Sequence, residues 1–171
     1  IVIGGYAARG MHVDVIGECA HTGPTPMDRR KNALIGASML AVAVNEVGWK
    51  YHPTEGKATV ARMVCWPNKA GILPDYAQLT CDVRHADPKV ADRMWAEVHA
   101  AMADAAKRAQ VEMKVAGSWS FGSEQFDADC IGNIRDAAGA LGVPAMDILS
   151  QAGHDAYYVS RVAPTAMIFT P

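Results

Sequence analysis

The chain has 171 residues, half of them hydrophobic and 20% charged, with a formal net charge of −2. That balance fits a folded globular protein with room for one domain plus part of another, and it excludes the disordered and fibrous classes. It supplies no basic field to gather phosphate backbones, and no apolar run approaches the ~20 residues that span a bilayer, so neither nucleic acid nor a membrane is an expected partner.

Ile1 opens the chain with no methionine and no charged leader, and the sequence stops at Pro171, two residues past the apolar run from Pro164 to Phe169, so both ends read as cut from a longer protein. The first element is a short strand at Met11–Ile16, with Val13 and Val15 on one face and Gly17 ending it. Gly23, Pro24 and Pro26 exclude a helix from the segment that follows. A helix is then predicted to start with Thr25 as its cap, Pro26 in its first turn and Asp28 closing a capping-box-like pattern. It should run to about Glu46 on a stripe of Leu34, Ala37, Ala41 and Val44, with Gly48 just past its end.

Period-two patterning takes over from Lys57 to Trp66, where Val60, Val64 and Trp66 are in phase. A second strand follows, with Ala77, Leu79, Cys81 and Val83 as its dry face and Gln78, Thr80, Asp82 and Arg84 as its wet face. Asp87 caps and Pro88 opens an amphipathic helix to about Arg108, carrying Val90, Met94, Val98, Ala101 and Ala105 at helical spacing. Val111, Met113 and Val115 alternate as a further strand. Residues 11–119 therefore read β-α-β-β-α-β, a ferredoxin-like arrangement of the α+β class. Residues 1–10 belong to a neighbouring segment and its crossing. After a second crossing near Ser120–Glu124, residues 120–171 show a helix at about Asp129–Leu141, an apolar stretch at Met146–Leu149, a short helix and a buried strand ending at Phe169. That α/β segment is too short to close a core by itself.

Chemistry-bearing residues are few. Cys19, Cys65, Cys81 and Cys130 lie far apart with no C-x-x-C pair, which fits neither a zinc knuckle nor a disulfide framework and reads as reduced thiols in a cytoplasmic protein. His21 and His154 sit in Gly-bearing loops. Such a ring either presents a nitrogen to a developing oxyanion without reorganising, or is bonded to its own backbone. Arg84, at a strand end, either recognises a carboxylate with its planar fork or pairs with Asp82 or Asp87. No H-E-x-x-H, H-x-x-E-H or His/carboxylate cluster is present, so no metal is expected on these residues.

The run Ala20-His21-Thr22-Gly23-Pro24-Thr25-Pro26-Met27-Asp28-Arg29-Arg30-Lys31-Asn32-Ala33-Leu34 closely resembles a signature of the M20-type amidohydrolases, in the branch of N-carbamoyl-L-amino-acid hydrolases, β-ureidopropionases and allantoate amidohydrolases. Pro67-Asn68 with Ile72-Leu73-Pro74, Asp82-Val83-Arg84-His85, and Ala152-Gly153-His154-Asp155-Ala156 match in the same order. The resemblance implies a ferredoxin-like lid that forms a homodimer, set into a zinc-peptidase-like α/β catalytic domain. It implies that His21 polarises the scissile carbonyl in the partner's cleft and that Arg84 binds the carboxylate of a small acidic ureido substrate. Asn68, Gly153 and His154 would contact the substrate. It further implies two divalent metal ions, zinc, manganese, cobalt or nickel, whose ligands lie outside these residues. One departure stands out: Gly71 occupies a position where the family usually has a substrate-holding asparagine. Two other readings stay open, a non-catalytic ferredoxin-like dimerisation or ligand-binding module, and an M20 peptidase or N-acyl amino acid hydrolase.

Overall fold

Apolar side chains gather in two separate clusters, and each element is placed by the cluster it serves. The structure is a computed structural model, and it describes residues 1–170. The larger cluster lies between a four-stranded antiparallel sheet and two helices. In chain order its main elements are strand β2 (Ala7–Ile16), helix α1 (Ala33–Tyr51), strands β4 (Lys57–Trp66) and β6 (Tyr76–His85), helix α2 (Pro88–Ala109) and strand β7 (Glu112–Phe121). The sheet order is β4-β6-β2-β7. Alternation decides which face is covered: Met11, Val13 and Val15 of β2 and Ala77, Leu79, Cys81 and Val83 of β6 are buried against Leu40, Val44, Met94 and Val98 of the helices. Each large side chain so buried contributes ~1.5–3 kcal/mol. The opposite face carries His12, Asp14, Gln78, Thr80, Asp82 and Arg84 and is partly open to solvent.

The smaller cluster surrounds strand β1 (Val2–Gly5), which pairs in parallel with β8 (Ile148–Ser150). Helix α3 (Ala128–Ala140) packs Ile131 there, capped by the Asp127 carboxylate, which accepts from the Cys130 amide at 2.8 Å. Phe126 and Tyr157, the latter in the single turn α4 (Ala156–Val159), stack with ring centroids 5.8 Å apart. A two-stranded pair, β3 (Ala20–His21) with β5 (Ile72–Leu73), sits apart at one end of the large sheet.

Several sequence expectations need correction. Helix α1 does not begin at Thr25. Met27–Arg29 form one 3-10 turn, Arg30 is extended, and the cap is Asn32, whose Oδ1 accepts from the Leu34 and Ile35 amides at 3.0 and 3.3 Å. Nor does it stop before Gly48. That residue lies inside the helix where it rests on β4, and a Cβ there would stand 3.0 Å from the Ala58 carbonyl oxygen. A bulge between Val60 and Arg62 reverses the phase of β4, so Met63 and Cys65 turn toward the core while Val64 and Trp66 are 41% and 71% exposed. Strand β2 starts four residues earlier than its alternation suggests, because Gly10 leaves a gap in the pattern that the Trp119 indole fills from β7. The apolar run Pro164–Phe169 is not a buried strand: its sheet contact is a single bridge from Met167 to Val2, and Ile168 and Phe169 are 60% and 44% exposed.

Helix α2 needs no correction at its start, since Asp87 accepts from the Lys89 amide at 2.8 Å and Pro88 is its first residue. The reassigned cap of α1 is testable. Asn32→Ala should cost ~1 kcal/mol, a fall of roughly 2–4 °C in thermal midpoint for a chain of this size. Thr25→Ala should cost less, and the reverse order in a thermal melt would restore Thr25 as the cap.

Candidate functional site

At one end of the large sheet, the β3–β5 pair holds His21 in register with Ile72. The ring is exposed, and its Nδ1 accepts a hydrogen bond from the Gly23 amide at 3.0 Å. A backbone N–H can only donate, so Nδ1 carries the lone pair and a neutral His21 bears its proton on Nε2. The loop is braced by its own residues: Thr25 Oγ1 donates to the His21 carbonyl at 2.7 Å, and the Arg30 guanidinium donates to the carbonyls of Thr22 and Thr25. The Thr22 amide donates to the Gly71 carbonyl at 3.0 Å, which ties this loop to the segment carrying Asn68. Asn68 is exposed at the same end of the sheet. Gly71 has φ +85°, and nothing lies within 4 Å of where its Cβ would be.

The other end holds Arg84. Asp82 grips it in a bidentate pair, accepting from Nε at 2.8 Å and from Nη2 at 3.1 Å, while Nη1 donates to the Gln151 carbonyl at 2.7 Å. Asp82 also holds the guanidinium pKa above its ordinary value, outweighing partial burial. The pairing with Asp82 foreseen from sequence is therefore present, yet it does not exhaust the side chain. Of five N–H donors three are used, which leaves one on Nη1 and one on Nη2. The guanidinium also lies 5.6 Å from the centroid of the Phe121 ring.

Gly153 and His154 come up beside this end. A Cβ at Gly153 would stand 2.9 Å from the Phe121 ring, so glycine permits the loop to close on the end of β7. Tyr157 fixes the loop from below, its hydroxyl donating to the Ala152 carbonyl at 2.9 Å. The His154 ring meets Tyr157 and Phe169 with centroids 6.1 and 5.3 Å away, and its Nε2 is buried with no hydrogen-bond partner among the described residues. An unpaired buried nitrogen costs ~1–3 kcal/mol.

The structure thus brings Arg84, Gly153 and His154 together, and His21, Asn68 and Gly71 together, but it keeps the two groups apart. Eight residue steps of β6 separate Tyr76 from Arg84, roughly 27 Å at strand rise. His21 lies beyond the Tyr76 end, so within one chain it does not reach the Arg84 pocket. Sequence reasoning missed Gln151, for which nothing in the pattern gave a signal, whereas Asp82 was visible two residues from Arg84 on the same strand face.

Two buried groups are held in their protonated forms. Burial pushes the Cys81 thiol up to about 12, and burial together with the hydrogen bond to Glu55 at 2.6 Å does the same for the Tyr6 hydroxyl. No three His, Cys, Asp or Glu side chains converge as metal ligands among the described residues, so these residues do not fit a metal centre of their own. No helix among them is long and apolar enough to cross a membrane. A cavity of about 790 Å³ lies between α3 and β8 against Phe169 and is lined by none of the five predicted site residues.

No family model matches the chain. It is 34% identical over 155 residues to an N-carbamoyl-L-amino-acid amidohydrolase of Rhizobium meliloti, covering 91% of this chain and 37% of the relative. It is 25% identical to the allantoate amidohydrolase of Bacillus subtilis over 93% of this chain and 38% of that protein. The crystal structure of a hydantoinase/carbamoylase family amidase from Burkholderia vietnamiensis superposes with a TM-score of 0.87 at 35% identity, over 95% of this chain and 39% of that one. The chain therefore spans less than two fifths of the length of these relatives. Sequence and fold alike make it a homologue of the hydantoinase/carbamoylase amidases. Two of those relatives are named as N-carbamoyl-L-amino-acid and allantoate amidohydrolases, the M20-type branch that this chain's motifs resemble.

Proposed function

We propose that this chain is the lid-bearing portion of a metal-dependent amidohydrolase that cleaves the ureido C–N bond of an N-carbamoyl amino acid or a related ureido acid, and that it works as a homodimer. The observation that carries the reading is the state of His21: the Gly23 amide fixes Nδ1 as acceptor and leaves Nε2–H as a donor on an exposed, braced loop. Such a group stabilises negative charge on a carbonyl oxygen as a tetrahedral centre forms, without reorganising at that moment. The two uncommitted N–H groups of Arg84 take the substrate carboxylate, and His154 Nε2 supplies a further contact.

Because His21 and Arg84 stand at opposite ends of one sheet, a complete site draws them from different copies. Residues 11–119, together with the ends of β2 and β7 that carry the sheet out to Ala7 and Phe121, act on this reading as a ferredoxin-like lid, and residues 1–6 and 122–171 belong to the catalytic domain. Two features support the dimer. Strand β4 is an open sheet edge, and the outer side of α1 exposes Ile35, Val42 and Trp49. The family chemistry draws on two divalent metal ions, and since no ligand set for them occurs among the described residues, their ligands belong to the rest of the full-length enzyme.

Gly71 is the one observation that favours a non-catalytic reading. Asparagine tolerates positive φ better than other side chains with a Cβ, and the space around Gly71 is open. An asparagine would fit both this φ and this space, so what Gly71 removes relative to the family pattern is the amide. Assay of the full-length protein with divalent metal against N-carbamoyl amino acids, other ureido acids, N-acyl amino acids and dipeptides decides among the readings. Ammonia release confined to the ureido compounds is expected. Turnover of dipeptides or N-acyl compounds alone would make it a peptidase or acylase, and no turnover with any of them would leave a binding module.

A further inference from the structure

Beside Arg84, the open face of the large sheet is hollowed into a trough of about 560 Å³, within the ~300–1,000 Å³ range of small-molecule sites. Its shape follows from the cross-strand register. Thr59, Asp82, Gly10 and Trp119 stand in one row across β4, β6, β2 and β7. Residues directly opposite in antiparallel strands share a face. Gly10 has no side chain, and the Trp119 indole lies over it so closely that a Cβ on Gly10 would stand 2.1 Å from the ring.

The charges around the trough are already committed. Asp82 is held by Arg84, and the Lys57 ammonium is bonded to Gln151 Oε1 and lies 5.2 Å from the centroid of the Tyr6 ring. What remains is neutral: the Thr59 hydroxyl, the Thr80 hydroxyl, which is paired with His12 Nδ1 at 3.0 Å, and the indole, whose ring centroid lies 5.1 Å from that of His12. Arg84 occupies the adjacent row, and Trp119 lies two strands away from Asp82, roughly 10 Å across the sheet. A ligand whose carboxylate is anchored on Arg84 and whose flat side chain reaches the indole spans that interval.

Resting on the reading of a ureido-acid hydrolase, we propose that this trough receives the substrate's amino-acid side chain, and that Trp119 is the residue selecting aromatic and other flat apolar side chains. Aromatic pairs add binding beyond the area they bury, and a small aliphatic side chain would leave the indole untouched. Gly10 is then the seat of the indole, since any side chain there would displace Trp119 from the wall of the trough.

The test compares N-carbamoyl-phenylalanine with N-carbamoyl-alanine on the full-length enzyme. Trp119→Ala is expected to lower kcat/KM for the phenylalanine derivative at least roughly 10-fold more than for the alanine derivative, mainly through KM, with Trp119→Phe retaining most of the preference. Calorimetric binding of N-carbamoyl-phenylalanine gives the same comparison without turnover. Equal losses for both compounds, or no loss for either, would overturn the role of Trp119, as would an unsubstituted protein that fails to bind the phenylalanine derivative. An enzyme that hydrolyses ureido acids but shows no side-chain preference dependent on Trp119 sinks this inference alone, whereas one that hydrolyses only dipeptides sinks the reading beneath it.

Discussion

Replacing His21 with alanine is expected to lower turnover by the full-length enzyme roughly 10²–10³-fold, the usual effect of removing one donor to a developing oxyanion. The chemical argument is the tautomer. With Nδ1 accepting from the Gly23 amide, the neutral ring has a donor, and no acceptor, to offer outward. His21 is exposed and makes no contact in either hydrophobic cluster, so the same variant should change stability by less than ~0.5 kcal/mol. Steady-state kinetics with an unfolding curve on one preparation separates the two effects. Parental turnover in the variant would remove His21 from the chemistry, and a collapsed unfolding curve would show that the loop holds the fold instead.

A second large effect is expected at Gly122. It has φ +84°, where a side chain costs ~1–3 kcal/mol. A Cβ there would also stand 1.6 Å from the Tyr6 carbonyl oxygen, a collision with backbone that no rotamer relieves. Gly122→Ala should therefore lose roughly 3 kcal/mol or more once the ~1–3 kcal/mol of overpacking is included, a fall of about 6–12 °C in melting midpoint. Gly71→Ala provides the comparison, since Gly71 has nearly the same φ but open space around it and so bears only the conformational part. Equal losses at the two positions would mean that the chain near Tyr6 yields more easily than the geometry implies.

Legibility from sequence depended on whether signals competed. Helix α2 was readable at its start because Asp87 and Pro88 name the same first turn, and the alternation of β6 is unbroken from Ala77 to Val83. The start of α1 is misread from sequence because Pro26 beside Thr25 signals a first turn seven residues before the cap that forms, Asn32. The phase of β4 was lost to a bulge, a register shift that no pattern of residue types announces. In the candidate site the residue types were legible but their grouping was not. Distance along a strand becomes distance in space only once the pairing of β2 with β6 is known, and that pairing is what separates His21 from Arg84.

Consider, finally, how the backbone passes between its two apolar clusters. It leaves the smaller one at Gly5–Tyr6 and returns at Gly122–Ser123, and the two passages are stitched together, with the Gly5 amide donating to the Glu124 carbonyl and the Ser123 amide to the Gly5 carbonyl, both at 3.1 Å. An excursion of more than a hundred residues therefore begins and finishes at the same doorstep. The entropic toll of closing so long a loop rises only slowly with its length, and here neighbouring strands fix its ends. Evolution can lengthen, shorten or exchange such an appendage without rerouting the polypeptide that bears it.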